Sequence, residues 1–255
     1  MILGKIPYLN TTPYFHFLSD RWLKQHTVVN APPRQLGDMA REGKLDAAPF
    51  SLVDAASLVA EGSFEFLGDL GIAGHGPIQS IMLFGVKDPA SLEGKAIAVT
   101  SHTATTVRLM EVWLKEKIGI KHWTAVRPGE NSAATLLIGD DALTRKLRGL
   151  PGDPPPIDLC QAWSEWTGLP FVFARWAVRK SLPEQQKREL LVSMQSAVEL
   201  ALDDLEIVAS RASEDTAFEA ALIQDFLKGI IYRMGPKELE GQRLFLDKLG
   251  ALTGP

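Results

Sequence analysis

The sequence predicts an α/β protein with two lobes. Short apolar runs alternate with amphipathic helical stretches, which is typical of a sheet with parallel strands. Two long apolar runs, residues 77–86 and 169–178, lie far apart in the chain, and we interpret them as paired crossings between the lobes. The 255 residues suffice for two moderate cores. We therefore expect residues 1–85 and 179–255 to form lobe I and residues 86–178 to form an inserted lobe II.

The amino-terminal part predicts strands that each end at a polar residue. The first strand covers residues 3–9 and ends at Asn10. A helix starting at Pro33 precedes a second run, residues 45–49, which leads through Ser51 into another helix. In open α/β sheets, ligands bind at the edge where the parallel strands end. Asn10 and Thr11 are therefore candidate ligand-binding residues, whereas Ser51 is explained by its position as the N-cap of its helix.

Hydroxyl side chains crowd one predicted strand-to-helix turn in the middle of the chain. The strand covers residues 97–99, and the helix covers residues 103–118 and ends at Gly119. The hydroxyl residues of the turn are Thr100, Ser101, Thr103, Thr105 and Thr106. A helix N-terminus with added hydroxyl donors favours a carboxylate or a phosphate. The alternative is that one hydroxyl caps the helix and the others are ordinary turn residues.

The rest of the chain continues the α/β pattern. Strands are predicted near residues 123–127 and at 136–138, and a helix starts at Asp140. Asp140 is a further candidate for substrate binding, with helix capping as the alternative. Helices with long apolar stripes follow from Ser181, and a final helix starts at Pro236.

Composition and charge argue against several functions. The net charge of −4 offers no basic face for nucleic acid, and no run of about 18 apolar residues is present to span a membrane. The amino terminus lacks the pattern of a signal peptide, which predicts a cytoplasmic protein. The single cysteine, Cys160, is expected to be a buried, inert thiol. His75 and His102 are expected to be turn or solvated residues, so no metal site is predicted. For Arg175 exposure is the default expectation.

Six ordered stretches resemble one known family. They are residues 6–13 (IPYLNTTP), 45–51 (LDAAPFS), 76–80 (GPIQS), 100–109 (TSHTATTVRL), 137–143 (LIGDDAL) and 163–173 (WSEWTGLPFVF). Together they are similar to the chorismate dehydratases of the futalosine route to menaquinone. The resemblance runs from the first strand to about residue 180.

The resemblance implies both a fold and an activity. The implied fold is that of type II periplasmic binding proteins, with two α/β lobes joined by two strand crossovers. The implied activity is the removal of water from chorismate, a dicarboxylate, to give 3-[(1-carboxyvinyl)oxy]benzoate without a metal or organic cofactor, in a cleft between the lobes. Asn10 matches the family's candidate mechanistic residue. The substrate-binding positions carried over by motif are Ser51, Ser80, Ser101, Thr105 and Thr106.

The sequence does not identify the group that accepts the proton in this dehydration. The proton at C3 of chorismate must be removed and the hydroxyl at C4 expelled, yet the sequence has no obvious pair of carboxylates or histidine cluster for this work. A neutral amide such as that of Asn10 orients groups rather than accepting a proton. Our hypothesis is that a carboxylate of the substrate takes the proton. The competing functions are a non-catalytic binding protein for small anions and 1,4-dihydroxy-6-naphthoate synthase of the same pathway.

Overall fold

The computed structural model describes residues 1–100, 104–150 and 152–253, and the chain divides into two compact units. Unit 1 contains Met1–Ala73 and Val172–Gly235. Unit 2 contains Gly74–Phe171 and the chain from Pro236 onward. Each unit has its own sheet, so the predicted α/β class is confirmed.

The strands and helices follow each other through the whole chain. The strands are β1 (Ile2–Lys5), β2 (Thr27–Asn30), β3 (Ala47–Ser51), β4 (Phe64–Gly74), β5 (Ile81–Phe84), β6 (Ala96–Val99), β7 (Thr124–Val126), β8 (Ala134–Ile138), β9 (Ile157–Asp158), β10 (Phe171–Arg179) and β11 (Ile230–Arg233). The helices are α1 (Thr12–Phe15), α2 (Asp20–Lys24), α3 (Pro33–Arg41), α4 (Leu52–Ala60), α5 (Thr105–Val112), α6 (Gly139–Arg148), α7 (Leu159–Thr167), α8 (Glu184–Asp203), α9 (Leu205–Glu214), α10 (Ala220–Lys228) and α11 (Pro236–Thr253). A short 3-10 helix, Leu9–Thr11, follows β1.

Unit 1 is built on a sheet with the strand order β11-β4-β10-β3-β1-β2. β1 pairs in parallel with β2 and β3, while β10 runs antiparallel to β3. The amphipathic helix α3 places Leu36 and Ala40 in a core that also contains Phe50 and Phe64. Helix α4 packs against β3 in the same core through Ala55 and Leu58.

Unit 2 is built on a sheet with the strand order β7-β6-β8-β5-β9. β6 is parallel to β7 and β8, and β5 is antiparallel to β8 and β9. Helix α5 continues into a π-helical turn, Trp113–Ile118, which ends at Gly119 with φ +90°. Glycine adopts this left-handed conformation without the steric cost of a Cβ atom, so the predicted helix end at Gly119 is confirmed.

The first passage between the units differs from the predicted one. We expected it in the apolar run 77–86, but the chain passes from unit 1 to unit 2 near the end of β4, and only Ile81–Phe84 of that run form a strand. The glycine-rich segment that precedes the run is part of β4. At Gly71, a Cβ atom would lie 2.8 Å from the carbonyl oxygen of Ala174, so glycine here permits close packing of strands and does not mark a loop. The return passage lies within β10, inside the predicted run 169–178.

The final helix belongs to a different unit from the expected one. We assigned residues 179–255 to lobe I, whereas α11 is part of unit 2. Phe245 of α11 is fully buried, with its ring centroid 4.9 Å from that of Phe171 and 6.1 Å from that of Trp163. Apolar burial in the core of unit 2 therefore decides where this helix lies, and the chain makes a third passage between Gly235 and Pro236.

None of the helices in the described ranges is both long enough and apolar enough to cross a bilayer. The cytoplasmic location expected from the sequence stays a prediction.

Candidate functional site

Two of the predicted site residues lie at one edge of the unit 1 sheet. Asn10 lies in the 3-10 helix that follows β1, and Ser51 is the last residue of β3. β1 and β3 are neighbouring parallel strands, so both residues follow carboxyl ends of strands at the same edge. This is the edge at which α/β sheets bind their ligands.

Asn10 has an unusual side-chain environment. Its Oδ1 atom is inaccessible to solvent and has no hydrogen-bond partner among the described residues. The adjacent Thr11 is fully buried and donates its hydroxyl hydrogen to the carbonyl oxygen of Ile6 at 2.6 Å, which fixes the turn. Buried polar atoms are normally paired, so an unpaired amide oxygen at a ligand-binding edge calls for a functional explanation.

Ser51 is the N-cap of α4, as the alternative interpretation predicted. Its Oγ accepts a hydrogen bond from the backbone N–H of Asp54 at 3.2 Å and donates one to Oδ2 of Asp54 at 2.7 Å. Arg41 donates to Oδ1 of the same carboxylate at 2.9 Å. Because its hydroxyl hydrogen is directed to Asp54, Ser51 can offer a ligand a lone pair but not a hydrogen bond in this arrangement.

A second group of predicted residues lies at one edge of the unit 2 sheet. Thr105 and Thr106 begin α5, after β6, and Asp140 is in the first turn of α6, directly after β8. β6 and β8 are parallel, and the antiparallel β5 starts at the same edge, directly after Ser80. A hydrogen bond from the backbone N–H of Gly139 to the carbonyl oxygen of Ser80, 2.7 Å long, joins the start of β5 to the start of α6.

The side chains at this second edge are mostly neutral and hydroxylic. Ser80 is only 3% exposed, and no hydrogen bond to its hydroxyl is present within the described residues. Thr105 and Thr106 are buried in the first turn of α5, where the helix dipole favours an anion. Asp140, when ionised, accepts hydrogen bonds only and therefore suits a hydroxyl group rather than a carboxylate. Ser101 and His102 lie outside the described residues.

Three other residues named from the sequence, Cys160, His75 and Arg175, are either buried within the fold or exposed at its surface. Cys160 is fully buried, and burial together with the nearby Asp158 raises the pKa of its thiol, so it is inert as expected. His75 is exposed at a bend. Arg175 is only 3% exposed, contrary to the expectation, because its guanidinium donates to the carbonyl oxygens of Gly68 and Leu70 and stacks on Phe66. No cluster of three His, Cys, Asp or Glu residues that could hold a metal ion occurs within the described chain.

Sequence interpretation missed two residues beside Ser80. Asp158 is 6% exposed, and its carboxylate accepts four backbone hydrogen bonds, two of which come from Ile78 and Gln79. Burial raises the pKa of Asp158, although each of these hydrogen bonds favours the ionised form. Gln79 has φ +64°, a left-handed conformation that is uncommon for residues other than glycine. The position of Asp158 before an apolar helical pattern indicates a helix cap. Its hydrogen bonds to a segment 80 residues earlier cannot be recognised from the local sequence.

The unit 2 edge suits binding of a small anion. Neutral hydroxyl donors and a helix N-terminus can hold carboxylates without an opposing charge. The unpaired Oδ1 of Asn10 can accept a hydrogen bond from a reacting group and so orient it.

The chain matches a family model described as "Menaquinone biosynthesis" over residues 1–251. A curated relative from Thermus thermophilus, named chorismate dehydratase, is 28% identical over 273 aligned positions, which cover 100% of this chain and 97% of that protein.

Solved structures show the fold. A crystal structure of a protein from Archaeoglobus fulgidus has a TM-score of 0.82 at 18% identity, covering 99% of this chain and 97% of that one. A Candida albicans protein described as having the generic periplasmic binding protein fold has a TM-score of 0.65 at 10% identity, covering 100% of this chain and 91% of that one. The predicted periplasmic-binding-protein-like fold is therefore confirmed. At these identities the likeness concerns the fold alone.

Proposed function

Because this chain belongs to the menaquinone biosynthesis family, we propose that it is a hydro-lyase that removes water from chorismate to form 3-[(1-carboxyvinyl)oxy]benzoate. The relative named chorismate dehydratase, which aligns over the whole chain, supports this assignment. The observation that carries it is the buried and unpaired Oδ1 of Asn10 at the ligand-binding edge of unit 1. A buried amide oxygen without a partner at this edge is available to the substrate or to a group that forms during the reaction.

In the proposed reaction, the hydrogen at C3 leaves as a proton, and the electron pair of that C–H bond becomes part of the aromatic ring as the hydroxyl at C4 departs. The departing hydroxide and the proton together make the water molecule that is released. Aromatisation supplies the driving force, so the protein mainly has to hold a productive geometry. Positioning of this kind is worth roughly 7–11 kcal/mol of the barrier.

We assign the residues as follows. Ser80, Ser101, Thr105 and Thr106 bind carboxylate oxygens of the substrate. Asp140 accepts the single hydrogen bond that its hydroxyl group can donate, and Ser51 contacts the substrate from the end of β3. Asn10 orients the substrate, and a carboxylate of the substrate itself takes the C3 proton. No metal or organic cofactor takes part in the proposed scheme.

The test is incubation of the purified protein with chorismate, in buffer treated with chelator, followed by mass spectrometry and ultraviolet absorbance. We expect a product lighter than chorismate by one water molecule, with the absorbance of a substituted benzoate. The rival, a non-catalytic binding protein with the same fold, predicts that chorismate is bound and recovered unchanged. Recovery of unchanged chorismate from a correctly folded preparation would overturn the proposed reaction.

A further inference from the structure

One buried carboxylate joins two segments of unit 2 that are distant in the sequence. Oδ2 of Asp158 accepts hydrogen bonds from the backbone N–H groups of Ile78 and Gln79, at 2.9 and 2.6 Å. Its Oδ1 accepts from the N–H groups of Cys160 and Gln161, at 2.9 and 3.1 Å, and so caps α7. Oδ1 therefore caps the helix α7, and Oδ2 binds the segment that precedes β5.

The segment held by Oδ2 has a backbone that needs outside support. Gln79 has φ +64°, a left-handed conformation that is strained for a residue with a Cβ atom and persists only where the surroundings enforce it. The enforcing contacts are the bond from its N–H to Asp158 and a bond from Nζ of Lys146 to its Oε1 at 2.7 Å. This backbone conformation determines where the next residue, Ser80, points.

Ser80 is fixed from its other side as well. Its carbonyl oxygen accepts the hydrogen bond from Gly139 at the start of α6, while its hydroxyl makes no bond within the described part of the chain. The backbone of Ser80 is thus held on both sides and its side chain is left available. A rigid frame around an available donor is the arrangement expected for a group that binds a ligand.

We propose that Asp158 is a positioning residue for the reaction: its Oδ2 holds the Gln79 backbone in the left-handed conformation that directs the Ser80 hydroxyl to the substrate. This inference rests on the proposed function. The competing explanation is that Asp158 is only the N-cap of α7, in which case its bonds to residues 78 and 79 serve stability alone.

Two variants separate these explanations because both retain a capping group. In Asp158→Asn, the amide oxygen can still cap α7, but the NH₂ group faces the N–H groups of Ile78 and Gln79 and cannot accept from them. In Asp158→Ser, the shorter side chain caps the helix and does not reach the segment. Removal of Ser80's hydroxyl in Ser80→Ala deletes no hydrogen bond of the described structure, so this variant is expected to fold normally.

The experiment measures kcat and KM for chorismate in the wild type, in the three single variants and in the double variant Asp158→Asn/Ser80→Ala. We expect KM to rise about tenfold in each single variant, with kcat changing less than threefold, since a correctly placed hydrogen bond to the substrate is lost in each. We expect the double variant to be no worse than Ser80→Ala alone, because both changes remove the same interaction. Asp88→Asn is the matched control, since Asp88 caps another short helix of unit 2 by accepting from Ala90 and is expected to leave both constants unchanged.

Independent effects of the two substitutions, multiplying to about a hundredfold in KM, would overturn the inference, as would an unchanged KM in both Asp158 variants. A loss confined to melting temperature would show that Asp158 only caps the helix. A wild-type protein that forms no product would instead refute the proposed function. In that case hydrogen exchange still tests the frame, because Asp158→Ser should increase the exchange of the amides of residues 78 and 79 while those of residues 160 and 161 remain protected.

Discussion

The Oδ1 atom of Asn10 destabilises the folded protein because it is buried and no described residue donates a hydrogen bond to it. A buried polar atom without a hydrogen bond destabilises a protein by about 1–3 kcal/mol. Thr11, one residue further, shows that the same turn can satisfy a polar side chain fully, because its hydroxyl donates to the Ile6 carbonyl oxygen. The unpaired oxygen of Asn10 is therefore best understood as reserved for the substrate or for a group that forms during the reaction.

This role predicts that Asn10→Ala lowers kcat by about 100-fold or more and changes KM for chorismate by less than about threefold, the pattern of an interaction made mainly in the transition state. Steady-state kinetics with chorismate measure both constants. The matched control is Asn30→Ala, since Asn30 is an exposed asparagine at the carboxyl end of the neighbouring strand β2. Equal losses in kcat and in binding would show instead that Asn10 only binds the substrate.

Helix α11 depends on close packing at one glycine. A Cβ atom on Gly241 would clash with the carbonyl oxygen of Pro170, a backbone atom that cannot move aside without shifting the start of β10. We therefore expect Gly241→Ala to destabilise the protein by about 2 kcal/mol or more, despite the higher helix propensity of alanine. Calorimetric melting measures this effect.

The same helix supplies the control for that prediction. Outside its own helix backbone, Gly250 of α11 has no heavy atom of the described residues within 4 Å of the place where a Cβ would lie. Gly250→Ala should therefore be neutral or stabilise by up to about 1 kcal/mol. A similar change in melting temperature for both variants would contradict the close packing of Gly241.

The elements that the sequence predicted well are those with a strong local pattern. The helix end at Gly119 and the strand that became β10 follow from glycine conformation and from a continuous apolar run. No strand was predicted over Phe64–Gly74, where glycines interrupt the apolar pattern, and the reason for Gly71 is a contact with β10, more than 100 residues later. Asn10 and the hydroxyl residues near α5 were placed at strand ends by pattern, and Ser51 and Ser80 were predicted from the family resemblance. The role of Asp158, in contrast, arises from bonds across 79 and 80 positions. Long-range contacts of this kind have no signature in a single sequence.

The response of the whole molecule to acid depends on a network that joins three elements of unit 1. Burial raises the pKa of Asp69 in β4, but hydrogen bonds from Arg233 of β11 and Gln195 of α8 outweigh burial, and the pKa lies below its ordinary value. A carboxyl group whose pKa is lowered by folding stabilises the protein above its unfolded-state pKa, and this contribution is lost as the pH falls through the folded-state pKa.

We therefore expect the wild type to lose more stability than Asp69→Asn when the pH is lowered from about 5 to about 3. Melting temperature measured over this range tests the prediction. Asp203→Asn, at an exposed position of α8, serves as the control and should follow the wild type. Parallel curves for the wild type and Asp69→Asn would show that the network does not contribute to acid stability.

The three passages of the chain between the units affect how the protein folds during its synthesis. β11 completes the edge of the first sheet, and α11 supplies Phe245 to the second core, so each unit awaits residues beyond position 229. A nascent chain that has just emerged to residue 229 holds two unfinished cores at once, with the apolar surroundings of Trp163 and Phe171 still uncovered. Neither core can therefore close until almost the whole chain has left the ribosome.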